Sequence, residues 1–344
     1  MPEVVASSTS PHWLRRILAA LVFLCLTIIV AGFLYENISE ARDRRFNPMP
    51  GQLVDVNGLH MHIDCSGQGA PTVVLDSGLG DSYVSWRKVQ PEIAKFTRVC
   101  SYDRAGLGYS DSTPQPRTSK VIAEQLHALL QAAGVAPPYI MVGHSMGGYD
   151  VRLFASLYRD EVVGMVLVDA SHPDQEHRFT PELRSMEGSW MREAEFLAYA
   201  TPFGIPRLLS FCESQPIERA ADCNFHSARE GLAELKAFPQ SAAEAAATGP
   251  FGDMPLIVLS HDPDKPSAEL PAEVAKSTNE AWEKMQEELA HLSTRGSRQV
   301  AKGSAHYIQN DRPDIVIAAV RDVLNQTRSP QSVAAASHAS SSQP

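Results

Sequence analysis

From Thr72 onward, short β-branched runs alternate with stretches of helical spacing, and that order leaves few architectures open. The runs fall at 72–75, 98–102 and 139–142, and later in EVVGMVLVD, MPLIVLS and RQVA. Between them lie helical patterns such as TSKVIAEQLHALLQAAG, with Thr118 as N-cap and Gly134 as stop, AEVAKSTNEAWEKMQEELAHLS and PDIVIAAVRDVLNQ. Strand–helix–strand order predicts parallel strands joined by right-handed crossovers, so the expected fold class is α/β with a mostly parallel, doubly wound sheet. LVDVNGLHMHIDC alternates around Asn57-Gly58, a strong hairpin signal, so two antiparallel strands open the domain. His60 and His62 share one strand face, but with no third ligand nearby they read as ordinary strand residues. Residues 174–249 break the rhythm with short amphipathic pieces and are expected to lie as a lid over the carboxyl ends of the strands.

Ahead of this domain, residues 17–35 read ILAALVFLCLTIIVAGFLY without a charge. As a helix this segment is roughly 28 Å long, close to the ~30 Å hydrocarbon thickness of a bilayer. It predicts a transmembrane helix, preceded by a segment at 1–16 and followed by a linker at 36–51. The alternative is a signal peptide that is cleaved to release a secreted domain, although the apolar run is long and no clean A-x-A site ends it. Arg15 and Arg16 against the span favour the main domain on the extracytoplasmic side. The tail at 326–344 is rich in Ser, Ala and Pro and reads as disordered.

A net charge of −10 argues against a nucleic-acid partner, which needs a basic face. Of the five cysteines Cys25 lies in the span, and no pair is spaced C-x-x-C. Cys212 with Cys223 and Cys65 with Cys100 are two possible bridges in an oxidising compartment and ordinary thiols in a reducing one.

The chemical signal is Gly143-His144-Ser145-Met146-Gly147-Gly148, which follows an apolar strand directly and opens a helix expected to begin near Tyr149. A strand–elbow–helix setting is what G-x-S-x-G requires, because the tight turn holds the serine hydroxyl out at the sheet edge. A serine hydroxyl needs a base. His306, in KGSAHY just past the last strand, is placed by topology for that role, ahead of His261 and His172; His144 is expected to point into packing.

With GHSMGG, the loop DSGLGDS, YDRAGLGYSD and GSAHYIQNDRP in this order, the chain resembles the α/β-hydrolase fold enzymes from about Gln52 to Asn325. The resemblance implies a core at 52–173 and 250–325 around the lid at 174–249. Ser145 matches the family's nucleophile and His306 its histidine, and the oxyanion hole is expected at the backbone N–H groups of Leu79 and Met146. Ser77-Gly78 stands where many relatives read His-Gly. The acid is expected after the strand that follows the lid, where Asp264 has the matching offset, although the Gly of the common His-Gly-x-x-Asp turn is missing. Asp169, at the end of the preceding strand, is the alternative acid, with Asp174 and Asp262 behind it. Asp103-Arg104 reads as a structural ion pair bracing a loop.

These readings imply a membrane-anchored serine hydrolase that cleaves ester bonds of small or acyl substrates through an acyl-enzyme, with no metal or organic cofactor. An aspartate nucleophile, as in epoxide hydrolases, does not fit Ser145. Carbon–carbon bond hydrolysis, thioesterase, amidase or cofactor-free haloperoxidase activity, or a non-catalytic tethered binding module, are the alternatives. Trp190, Phe196, Tyr199, Phe203 and Phe211 in the lid suggest an apolar pocket or the lid's own packing. Oligomeric state is not legible.

Overall fold

The computed structural model describes residues 12–212, 215–265 and 270–328. Among them, eight strands form one sheet in the order β1-β2-β4-β3-β5-β6-β7-β8. β1 (Gln52–Val56) and β2 (Leu59–Ser66) make the expected hairpin, and β2 pairs antiparallel with β4 (Val99–Tyr102). β3 (Thr72–Asp76), β4, β5 (Tyr139–His144), β6 (Val162–Val168), β7 (Leu256–His261) and β8 (Gly296–Ala301) run parallel.

The strand residues are apolar on both sides because both faces are covered. Val74, Met141, Met165, Leu167 and Val258 pack on one face with helices α2 (Ser119–Ala132) and α3 (Gly147–Leu157). Val73, Leu75, Ile140, Val142, Val166 and Leu259 pack on the other. The helices after the lid are α7 (Ala272–Ala290), which reaches the first face through Leu289, and α8 (Pro313–Thr327), which covers the second through Val316, Val320 and Val323. Alternate residues of one strand thus enter different cores, as the two-residue strand period demands.

The lid lies between β6 and β7. Its longer helices are α4 (Pro181–Ala200), α5 (Pro216–Asp222) and α6 (Phe225–Ala246); α6 is longer than the sequence pieces suggest and carries Pro239 inside it. Thr180 and Asn224 cap α4 and α6 through their side chains.

The N-terminal helix α1 runs unbroken from His12 to Phe46. Residues 36–46, expected as a linker, therefore continue the helix. The reason is that they have something to pack on: Glu36 is buried against the lid and pairs with Arg207 at 3.2 Å. Cys65 is joined to Cys100 across the β2–β4 pair, and Cys212 to Cys223 within the lid. The tail from 329 to 344, read as disordered, lies outside the described residues, while 326–327 belong to α8.

Candidate active site

Ser145 follows β5 directly, and α3 begins at Gly147, two residues earlier than the spacing suggests. The elbow forces Ser145 to φ 51°, a left-handed conformation costly for a residue with a Cβ. Gly147 permits the turn, since a Cβ there would lie 2.6 Å from the Ser77 carbonyl oxygen. The strain is held by the Ser145 N–H, which donates to Val168 O at 3.2 Å, and by its carbonyl, which accepts from Ser171 N–H at 3.0 Å. Among the described residues the positive-φ non-glycines are Asn57, Ser145, Asp169 and Ser210, so two of the four are candidate site residues.

Asp169 stands one residue past β6 at φ 42° and is fully buried. Its Oδ2 lies 2.6 Å from His306 Nδ1. Its Oδ1 accepts from Trp282 Nε1 at 2.8 Å and from the His261 backbone N–H at 3.0 Å, and His261 Nδ1 lies 2.9 Å from Oδ2. Burial alone would raise this carboxyl, but the hydrogen bonds and charges of His261 and then His306 hold it well below the usual carboxylate range. Asp169 is thus an acceptor-only anion gripping two imidazoles.

Asp264 is elsewhere. Its side chain is 84% exposed and pairs with Lys302 Nζ at 3.0 Å. The physical reason lies in the turn after β7. Without the expected glycine, the chain folds around Asp262, which takes the Gly303 N–H at 2.8 Å, Lys302 Nζ at 2.9 Å and the Asp264 N–H at 3.2 Å. That aims Asp264 at solvent rather than at His306, so the carboxylate on His306 is the alternative, Asp169. Asp174 pairs with Arg178 at 3.2 Å.

His144 is buried, with Nε2 donating to the His306 carbonyl at 3.2 Å and its ring 4.7 Å from the His306 ring. Burial, and then the neighbouring His306, pull it down to about 3, so it is neutral and positions the His306 backbone. No hydrogen bond joins Ser145 Oγ to His306 or to another group among the described residues. In the absence of substrate such bonds are commonly long, and they close in the Michaelis complex. Neither the Leu79 nor the Met146 N–H donates to an acceptor among the described residues, which leaves both available at the elbow.

The loop carrying Leu79 is braced by Arg104, as a bracing role was expected, but with other partners than Asp103. Arg104 donates through Nη1 to Ser77 O at 2.7 Å and through Nη2 to Gly78 O. Its Nε reaches Glu234 Oε1 at 2.7 Å, and Nη1 reaches Asp76 Oδ1 at 3.0 Å. Glu234, from lid helix α6, also accepts the Gly80 N–H at 2.9 Å. Asp103 does not pair with Arg104; it binds buried His62 at 2.7 Å, while His60 pairs with Asp111 at 2.8 Å. Glu234 had no local signal, because its partner is 130 residues away in sequence. His261 was visible as a rival base, and the structure places it on Asp169 instead. Its Nε2 faces Asn279 Oδ1 at 3.3 Å, and that amide is oriented by Nδ2 donating to Pro263 O at 3.0 Å. Both ring nitrogens therefore face acceptors, which is the arrangement of an imidazolium. Burial opposes that charge, but Asp169 outweighs it and holds His261 above its ordinary value of 6.5.

The profile of the family described as alpha/beta hydrolase fold matches residues 71–208. The chain has the α/β-hydrolase fold. Among its relatives, the uncharacterized Bacillus subtilis protein YqjL is 29% identical over 258 residues, which cover 75% of this chain and 85% of YqjL. A second uncharacterized Bacillus subtilis protein, YbdG, is 28% identical over 164 residues, covering 47% of this chain but only 50% of YbdG. Among solved structures, a thermophilic esterase from Thermogutta terrifontis superposes with a TM-score of 0.55 at 23% identity, covering 80% of this chain and 97% of the esterase. At that identity the likeness speaks for the fold alone.

Proposed function

We propose that this α/β-hydrolase is a membrane-anchored serine hydrolase that cleaves ester bonds of small or acyl substrates. The observation that carries the reading is the 2.6 Å contact between His306 Nδ1 and buried Asp169 at the sheet edge where Ser145 occupies its strained elbow. Asp169 accepts a hydrogen bond from the His306 Nδ1–H and stays ionised, which leaves Nε2 of His306 as the base. Ser145 attacks the ester carbonyl as His306 takes its proton, and the carbonyl oxygen becomes an oxyanion against the Leu79 and Met146 N–H groups. His306 then protonates the departing alcohol. Water, deprotonated by His306, attacks the acyl-enzyme and releases the acid and Ser145. Arg104 and Glu234 keep the Leu79 loop in register, so that its donors need no reorganisation as charge develops.

Retention of α1 as an anchor is supported by its docked end. A helix whose apolar part stays exposed while its polar end is ion-paired to the lid fits a span continuing into the domain, not a removed leader. The two joined cysteine pairs support an extracytoplasmic location.

The test is hydrolysis of a panel of esters, thioesters and amides by the full chain. Ester turnover should dominate, and Ser145→Ala should lower kcat by about 10⁴-fold or more. Near-wild-type ester hydrolysis by that variant refutes the assignment.

A further inference from the structure

The docking of α1 fixes the depth at which the lid meets a membrane. The apolar part of α1 is bare, with Phe23 74% and Ile28 62% exposed, so no protein covers it. Its last turns are not bare. A Cβ at Gly32 would lie 2.6 Å from the Phe203 carbonyl oxygen, so the lid backbone rides directly on the helix at that point. One turn later the Tyr35 ring packs where a Cβ on Gly204 would stand. Arg207, largely buried, then reaches Glu36 at 3.2 Å and Asp43 at 2.5 Å. Arg44 lies 5.2 Å over the Tyr109 ring, whose hydroxyl donates to Asn47 O at 3.0 Å. Contacts spread over roughly three helical turns leave the helix little freedom to swing against the domain.

Gly32 lies three residues inside the apolar stretch that ends at Tyr35, about 4.5 Å along the axis. If α1 spans a bilayer, the lid segment touching Gly32 is therefore level with the edge of the hydrocarbon. Trp13 and Tyr35, some 33 Å apart along the helix, mark the two interfaces as an aromatic belt does. The lid chain around the contact is unusually apolar on its outside. Phe196, Tyr199, Leu208, Leu209 and Phe211 are each at least half exposed, and all fall within the sixteen residues that lead up to and away from Phe203. Singly, such residues need no explanation; gathered beside a spanning helix, they do.

We infer that the lid edge from Phe196 to Phe211 rests on the bilayer surface, with these five side chains seated at the boundary between headgroups and acyl chains. The partner is a lipid leaflet rather than another protein, because the segment that carries these side chains packs on α1 where its exposed apolar stretch ends, at Gly32 and Tyr35, and just beyond it at Glu36. An interfacial seat of this kind buries apolar groups roughly 5–10 Å deep. The inference rests on reading α1 as a retained anchor.

The experiment uses the full chain reconstituted into phosphatidylcholine vesicles, with Cys25→Ser so that its thiol is not labelled. Leu208→Cys carries an environment-sensitive nitrobenzoxadiazole label in one sample; Gln131→Cys, exposed at the end of α2, carries it in another. Vesicle flotation reports the anchor, and lipid spin-labelled near the headgroup reports contact. The expected result is co-flotation of both proteins, with quenching at position 208 several-fold stronger than at 131. Co-flotation with equal, weak quenching at both positions overturns the inference and leaves the anchor standing. Failure to float, with the protein recovered intact and folded, overturns the anchor and the inference with it.

Discussion

At the carboxyl edge of the sheet, charges are buried among fixed partners: Asp169 between the His306 and His261 rings, and Arg104 between Asp76 and Glu234. Along the lid edge beside α1 the order is reversed, with Tyr199, Leu208 and Leu209 turned outward. The two regions teach the same physics from opposite sides. A charge taken from water must be met by fixed partners, and the partners then become rigid. An apolar group left outside needs no partner if the medium it meets is not water. The first region is suited to holding reacting atoms in place, and the second to choosing where the enzyme sits.

Breaking the buried network should have the largest effect. Glu234→Ala removes one of the two carboxylates hydrogen-bonded to buried Arg104, and the acceptor of the Gly80 N–H; removing one member of a buried pair costs about 3–5 kcal/mol. Urea unfolding should register a loss of that order, together with reduced turnover as the Leu79 loop loosens. A loss below about 1 kcal/mol would place the pair with ordinary surface bridges.

A smaller effect should come from His261. A histidine whose charged form the fold favours contributes stability that is fully present below its unfolded value of 6.5, and that contribution is lost as pH rises through the raised folded value. The difference in unfolding free energy between the wild type and His261→Gln should accordingly be greatest near pH 6 and shrink above neutrality. Comparing the two proteins cancels the other titrating groups, His62 included. A difference independent of pH from 6 to 9 would show that His261 is neutral in the fold.

How far each region was legible follows from the range of its determinants. The sheet, the elbow at Ser145 and the position of His306 are written locally, in two-residue alternation, in G-x-S-x-G after an apolar strand and in chain order. The choice between Asp169 and Asp264 is not local. Both follow a strand at the right edge, and what separates them is whether the next turn points inward. Asp262 decides that by bonding to Gly303 and Lys302, forty residues on, which no spacing reveals. Glu234 was hidden for the same reason, and with it the true partner of Arg104, which was expected to pair with Asp103. The lid aromatics were misjudged differently: an apolar side chain in a soluble domain is expected inside, yet Tyr199 is 72% exposed. Hydropathy reports that a side chain avoids water, not which other medium receives it.

Asp169 fixes His306, and His306 activates Ser145. The most direct test is covalent capture of the full chain by a fluorophosphonate probe, with the labelled peptide identified by mass spectrometry and the labelling rate compared among variants. The adduct should fall on Ser145, the rate should drop about 10⁴-fold in Asp169→Asn as the tautomer of His306 is lost, and Asp264→Asn should label like the wild type. Collapse in Asp264→Asn with Asp169→Asn unaffected, or an adduct on any other residue, would contradict it.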